Sequence, residues 1–292
     1  MRVLVTGAAG QLGRRVCRLL DSHGASFVAA DKASIDQADY PIRNANLLDW
    51  ESCRNLLKGV DVLIHLANHA AWNSPYPQEM LNANTTMNQN LFQAAADSGC
   101  QRIVFSSSIQ MCDGQLSIAD RSAHEIAIPY IPMDSDMPAL VRNAYALSKH
   151  LGEETLRYYS DTKGLTCVSI RYPWLLDSET LDTAWKEGGI ERGKCYDCYA
   201  YLPIDSAAEA AFNAATVELD GYRQYFVASK DNLEQRETRE VIEEQLSSIP
   251  CRKPVGEMDS LVDCSKVEEE LAWEQPESLD ASWAKYVASL SS

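Results

Sequence analysis

No stretch of this 292-residue chain approaches the roughly 20 consecutive apolar residues that a membrane-crossing helix needs, so no membrane partner is expected. Cations are scarce. Lysine and arginine total 26 against 42 aspartates and glutamates, a formal charge of −16, and no basic block interrupts the excess. Nucleic acid is therefore not an expected partner, because phosphate repulsion goes unbalanced. An anionic small molecule is still admissible, since a helix terminus attracts it locally. Cysteine pairing is missing as a pattern: nine cysteines, an odd number, lie scattered, with Cys17 and Cys167 inside apolar stretches. Free thiols in a reducing cytoplasm are the expectation. The lone C-x-x-C, Cys195 and Cys198, has its nearest further cysteine or histidine at Cys167 and Cys251, too distant in sequence for a compact structural metal site, and none is expected. The candidate first strand follows Met1 directly, so no secretory signal is expected either. Repeats and low-complexity linkers are also missing, which leaves one large α/β unit or two closely joined domains.

The 46% of hydrophobic residues is ample for a core, and the way they are spaced sets the fold class. Short apolar runs at Arg2–Val5, Phe27–Ala30, Pro41–Leu47, Val60–Leu66, Arg102–Ser106 and Thr166–Ile170 read as strands. Amphipathic stretches at Gln11–Asp21, Trp50–Leu57, Met80–Ser98 and Asn143–Asp161 read as helices between them. This alternation predicts a Rossmann-type, doubly wound parallel sheet of the α/β class. After Tyr172 the rhythm loosens; a helix (Ser206–Leu219), a strand (Tyr222–Ala228) and a charged helix (Glu234–Leu246) follow. Glu268-Glu269-Glu270 reads as a solvated helix face.

Residues Arg2 to Gly13 carry the most information. An apolar strand runs into three glycines, Gly7, Gly10 and Gly13, and a helical pattern follows. Such a junction offers the free N–H groups of Gln11, Leu12 and Gly13 at the positive end of a helix dipole. Gly7 permits the tight turn, Gly10 lets a pyrophosphate approach the backbone, and Gly13 lets helix and strand pack closely. The expected division is a dinucleotide-binding domain over residues 1–172. Residues 173–292 then form a smaller, mainly substrate-binding part, with segments near 204–228 returning to the sheet.

Asp31 ends the second strand, 18 residues after Gly13. A carboxylate there accepts from the adenosine ribose hydroxyls and repels a 2′-phosphate, which favours NAD over NADP, although Lys32 next door tempers the preference. Asn46 and Leu47 close the third strand as candidates to line the adenine. Asp49 reads equally as a helix N-cap.

Tyr145 and Lys149 lie four apart, one turn on one helix face. A nearby cation favours phenolate and suits the phenol to general-base work. The spacing arises readily by chance, and Tyr159 with Lys163 repeats it. Topology separates them, because ligands sit beyond the carboxyl ends of the strands. Tyr145, near the start of its helix, lies at that edge, and Tyr159 lies about 21 Å further along. Ser106-Ser107-Ser108 ends the fifth strand at the same edge, where one hydroxyl can hold a substrate oxygen.

With these residues in place, the chain resembles the extended short-chain dehydrogenase/reductase family, the NAD-dependent epimerase/dehydratases, over nearly its whole length. Thr6 to Gly13 is similar to the family's T-G-x-x-G-x-x-G loop, and His65-Leu66-Ala67-Asn68 to its H-L-A-A segment beside the cofactor. Asn84 with Asn90 to Ala95 resembles its N-x-x-G-T-x-N-L-L-E-A-A helix, Phe105 to Ser108 its serine-rich strand end, and Arg171-Tyr172-Pro173 the strand end near the nicotinamide. Ser265-Lys266 and Glu270 to Pro276 are similar to its S-K-x-x-x-E-L-G-W-x-P. Thr6 to Arg14 looks most like uronate dehydrogenases.

The resemblance implies NAD held by the glycine loop, Asp31, Asn46, Leu47, Leu66, Ala67, Asn68, Asn84, Ser106, Tyr145, Lys149 and Tyr172. It implies Ser108, Tyr145 and Lys149 as catalytic groups, and a homodimer through the two long helices. Met111-Cys112-Asp113-Gly114 replaces the family's V-Y-G, and Trp174-Leu175-Leu176-Asp177 its N-V-Y-G-P. Both regions border the substrate pocket of the family, which makes Trp174 a substrate candidate, beside Ser107 and Ser108 at the strand end and His69 just after the cofactor segment. The expected activity is oxidation of a secondary alcohol on a sugar or sugar-acid. A nucleotide-sugar epimerase or dehydratase with tightly bound NAD is the first alternative. Its substrate diphosphate needs cations, for which the segment between Trp174 and Pro203 offers only Lys186, Arg192 and Lys194. A non-catalytic dinucleotide-binding protein is the second.

Overall fold

Val3, Leu4 and Val5 are fully buried, as are Val62 to His65 four residues in a row, the pattern of strands covered on both faces. The computed structural model describes residues 1–33, 39–70, 75–113, 128–177, 197–234 and 236–279. Its elements run β1 (Arg2–Thr6), α1 (Gln11–Ser22), β2 (Ser26–Asp31), β3 (Ile42–Asn44), α2 (Trp50–Leu56), β4 (Val62–His65), α3 (Pro77–Ser98), β5 (Arg102–Ser108), α4 (Gln110–Asp113) and α5 (Ala144–Lys163). Then come β6 (Thr166–Tyr172), β7 (Trp174–Leu176), β8 (Tyr201–Pro203), α6 (Ile204–Thr216), β9 (Tyr222–Phe226), α7 (Thr238–Gln245) and α8 (Ser265–Leu271).

Seven strands form one sheet in the order β3-β2-β1-β4-β5-β6-β9. The β1–β2, β2–β3, β1–β4 and β4–β5 pairings are parallel. The order reverses between β1 and β4, and a doubly wound sheet binds its ligand in the crevice at such a reversal. The expected Rossmann-type α/β fold is present. Strand β3 is shorter than its apolar run suggests, because Asn46 Oδ1 accepts from Leu48 N–H (3.1 Å) and turns the chain. Asp49 caps α2 by accepting from Ser52 N–H at 2.6 Å. Helix α3 starts at Pro77, three residues before the expected start, because proline in the first turn forfeits no helical hydrogen bond.

The chain divides into two compact units. The first holds Met1–Ser107, Ala144–Ile170 and Ala208–Gln224; the second holds Ser108–Asn143, Arg171–Ala207 and Tyr225–Ser292. Residues 108–143, grouped by sequence with the nucleotide-binding half, thus cluster with the second unit. The core of the first unit gathers Leu4, Leu63, Phe92, Phe105, Leu156 and Tyr159. Phe92 and Phe105 meet edge to face at 5.7 Å. Gly152 on α5 is needed there, since a Cβ would lie 2.6 Å from the Phe105 ring and 3.0 Å from Asn88 Nδ2. In the second unit β7 and β8 pair in parallel. No described helix is long and apolar enough to cross a membrane.

Candidate active site

The β1–α1 turn is built from backbone. Gly7 has φ +76°, and a Cβ on it would lie 2.8 Å from Ala67 N and from Leu66 C. Gly10 N–H donates to Gly7 O (3.0 Å), and Arg14 N–H to Gly10 O (3.0 Å). Gly10 caps α1 without a side-chain bond, and no acidic residue sits in the first turn. The N–H groups of Gln11, Leu12 and Gly13 therefore have no helical acceptor and stand at the positive helix end. This cradle fits a dinucleotide pyrophosphate. Asp31, at the end of β2, reaches the same turn, its Oδ2 accepting from Ala9 N–H and its Oδ1 from Ala33 N–H, each at 3.0 Å. Asn46 is exposed, whereas the Leu47 side chain is buried in the core and its carbonyl accepts from Asn90 Nδ2 (3.0 Å).

After β4 the chain passes through Leu66, Ala67 and Asn68 to the exposed His69. Asn84 on α3 clamps this exit, its Oδ1 accepting from His69 N–H (2.8 Å) and its Nδ2 donating to His69 O (3.1 Å) and Ser148 Oγ (3.0 Å). On α5, Tyr145 and Lys149 are both buried. Lys149 Nζ donates to Ser106 O (2.6 Å) and to Asn68 Oδ1 (3.0 Å), 5.6 Å from the Tyr145 ring centroid and 4.9 Å from that of Phe105. Burial pushes the Lys149 ammonium down to about 7, opposed by the charge of Glu153 one turn along. An ammonium has three donors; two of Lys149's are engaged and one is left for a ligand.

A buried polar chain lies behind the lysine that the sequence reading did not assign. The β1–β4 register sets Thr6 beside His65, and Thr6 Oγ1 lies 2.7 Å from His65 Nδ1. His65 Nε2 is 2.9 Å from Asn88 Oδ1, which also accepts from Asn68 Nδ2 at 3.0 Å. A carbonyl oxygen only accepts, so His65 carries its proton on Nε2 and Nδ1 accepts from Thr6. Asn88 lies one turn after Asn84 on the same face of α3, a spacing that marks one link of this chain but not its pairing with Thr6 and His65.

Burial brings His65 down to about 3, with Lys149 adding repulsion and Asn88 opposing. The unfolded chain takes up this proton below about 6.5, and the folded chain does so only near 3. Stability is thus complete above pH 6.5 and falls through that window by up to about 1.4 kcal/mol per pH unit. Urea midpoints of wild type and a His65→Gln variant should diverge in slope between pH 6.5 and 4; parallel slopes would refute a buried neutral imidazole.

Ser106 and Ser107 belong to the first unit; Ser108, Tyr172 and Trp174 belong to the second. Ser108 Oγ accepts from Gln110 N–H (3.2 Å). The Tyr172 hydroxyl donates to Ala207 O (3.2 Å), and burial raises that phenol strongly, which leaves it a structural hydroxyl. Trp174 opens β7 and is half-buried. Lys186, Arg192, Lys194 and Cys195 lie outside the described residues. Among the described residues no three His, Cys, Asp or Glu groups gather as a metal site.

A model described as the NAD dependent epimerase/dehydratase family matches residues 3–176. The chain is 29% identical over 185 residues to an L-arabinose 1-dehydrogenase (NAD(P)(+)) of Haloferax volcanii, covering 61% of this chain and 68% of that protein. It is 29% identical over 173 residues to a uronate dehydrogenase of Pseudomonas syringae pv. tomato, covering 58% of each. A short-chain dehydrogenase/reductase superfamily protein of Agrobacterium tumefaciens, solved with bound NAD, superposes with a TM-score of 0.70 at 16% identity, over 96% of this chain and 94% of that one. The last likeness concerns the fold.

Proposed function

Because the chain belongs to the NAD dependent epimerase/dehydratase family, we propose that it oxidises a secondary alcohol of a sugar or sugar-acid with Ser108, Tyr145 and Lys149 as its reacting groups. It is an NAD-dependent enzyme, and NAD, when held in the glycine turn, would supply the hydride acceptor. Tyr145, as phenolate, takes the proton of the substrate hydroxyl. Lys149 favours that phenolate by its charge, and its remaining N–H would help hold the nicotinamide ribose. Ser108 holds the substrate oxygen, with His69, Ser107 and Trp174 as further substrate contacts. The carrying observation is the lysine: a buried ammonium fixed by Ser106 O and Asn68, one donor unspent, beside the Tyr145 ring.

Asp31 directs the choice of NAD over NADP by its charge. The proposal includes a cytoplasmic homodimer. Leu151 and Tyr158, seven apart on α5, are exposed apolar residues on the helix expected to meet its copy. Among the described residues eight cysteines stand as thiols outside any disulfide, which suits a reducing compartment.

The test is a panel of aldoses, uronic acids and aldehydes incubated with the purified protein and NAD, with NADH absorbance followed. Net NADH from a free sugar or sugar-acid is expected. NAD retained through purification, with nucleotide sugars interconverted and no net NADH, would replace this reading by an epimerase. Light scattering of the same preparation should give twice the 32.4 kDa chain mass, and a monomer would remove the dimer from the proposal.

A further inference from the structure

Two positions at which this chain departs from the pattern it otherwise resembles meet in the first unit. Asn68 stands where the H-L-A-A segment ends in alanine, and Asn88 stands where the N-x-x-G-T helix has threonine. The two side chains are bonded, Asn68 Nδ2 donating to Asn88 Oδ1 at 3.0 Å. Asn68 Nδ2 also donates to Ala67 O (2.9 Å), so both its amide hydrogens are spoken for and its Oδ1 must face Lys149. Asn88 in turn is held from behind by His65, itself held by Thr6. Thr6, His65 and Asn88 are almost completely buried, so water does not compete for the Thr6–His65 and His65–Asn88 bonds, while Asn68 is half-buried.

We propose that Asn68, oriented by Asn88, is a positioning residue that keeps the Lys149 ammonium charged and aims its last N–H toward the cofactor and Tyr145. An alanine at 68 offers no acceptor. The buried ammonium would keep only Ser106 O, and a buried charge short of a partner tends to lose its proton. The titratable groups around Lys149 are Tyr145 and Glu153 on its own helix and His65 on β4; β6 contributes Ser169, which donates to Glu153 (2.8 Å). Strand β5 brings Phe105 and Ser106 and α3 the uncharged Asn88, so among the described residues Glu153 is the charge that favours the ammonium, and Asn68 is the side chain that accepts from it. The inference rests on the proposed catalytic role of Lys149, but the hydrogen-bond chain does not.

The test reads Lys149 directly. Protein labelled with ¹³C at lysine Cε is titrated by NMR, with Lys149 assigned by its loss in Lys149→Arg. In Asn68→Ala the midpoint should fall by about one to two pH units, the worth of a hydrogen bond to a charged group. Asn88→Thr should produce part of that fall, because it frees the Asn68 amide to rotate. The double variant should fall no further than Asn68→Ala alone, since both changes cut one chain. Alanine and threonine are the residues of the resembled pattern, which favours folding of both variants. With an active substrate, the rising limb of kcat/KM against pH should move upward in Asn68→Ala, because Tyr145 loses its cation. An unchanged midpoint in both single variants overturns the inference, even if Tyr145→Phe is inactive and the catalytic reading stands. A lowered midpoint together with full turnover in Tyr145→Phe upholds the inference and removes the catalytic reading instead.

Discussion

Tyr145→Phe is expected to lower kcat by about 10²- to 10⁴-fold, the range that a positioned acid–base group contributes. The substitution removes one oxygen from a buried side chain and leaves the ring on which Lys149 rests, so packing and charge placement are kept. NAD affinity should stay within about two-fold, because a loss confined to the transition state appears in kcat and not in ground-state binding. Fluorescence titration with NAD beside steady-state rates checks both halves. Tyr159→Phe is the control. Its hydroxyl donates to Gln93 Oε1 (2.8 Å) and accepts from Gln89 Nε2 (2.9 Å), so it bridges α3 and α5 as a structural group. That variant should lose about 1 kcal/mol of stability and no turnover. Full activity in Tyr145→Phe would remove the phenol from the reaction.

The contrast between these tyrosines shows what was legible. Spacing does not separate Tyr145–Lys149 from Tyr159–Lys163; distance from a strand's carboxyl end ranks them, and the two phenylalanine variants test that ranking. The glycine turn was legible because Val3-Leu4-Val5 and the glycines are adjacent in sequence, and local chemistry alone dictates strand, turn and helix. The chain behind Lys149 was not. Thr6, His65, Asn68 and Asn88 meet only once β1 lies beside β4 and α3 covers them, and the strand pattern that includes His65 does not show which side chains its ring will face. Residues 108–143 cluster with the second unit, a grouping that periodicity does not give, because it assigns an element's type but not the core it packs on. Ile131, Met133 and Met137 are buried in the second unit, where Ile131 N–H donates to Pro250 O and Met133 N–H to Leu261 O, both 2.9 Å, partners more than 100 residues away.

Gly13→Ala should abolish useful cofactor binding, and comparison with Gly10→Ala separates fold from ligand. A Cβ on Gly13 would lie 2.1 Å from Gly7 O, 2.8 Å from Ala8 Cα and 2.9 Å from Gly7 C. All three are backbone atoms that cannot rotate aside, so the turn or α1 must move. Overpacking of this kind costs about 1–3 kcal/mol, and a shift near 1 Å in the anion cradle is worth on the order of 10²-fold in function. A Cβ on Gly10 meets only Gly7 O, at 3.2 Å, which a small adjustment relieves. Gly10→Ala should therefore melt near wild type without ligand. Its methyl would stand where the pyrophosphate is proposed to approach, so the gain in Tm on adding NAD should shrink. That gain measures affinity, about 2.7 kcal/mol at one hundred times Kd. Gly13→Ala should lose both basal Tm and the NAD-dependent gain. Wild-type NAD stabilisation in Gly10→Ala would move the pyrophosphate away from this turn. An unaltered basal Tm in Gly13→Ala would contradict the close packing of α1 on Gly7.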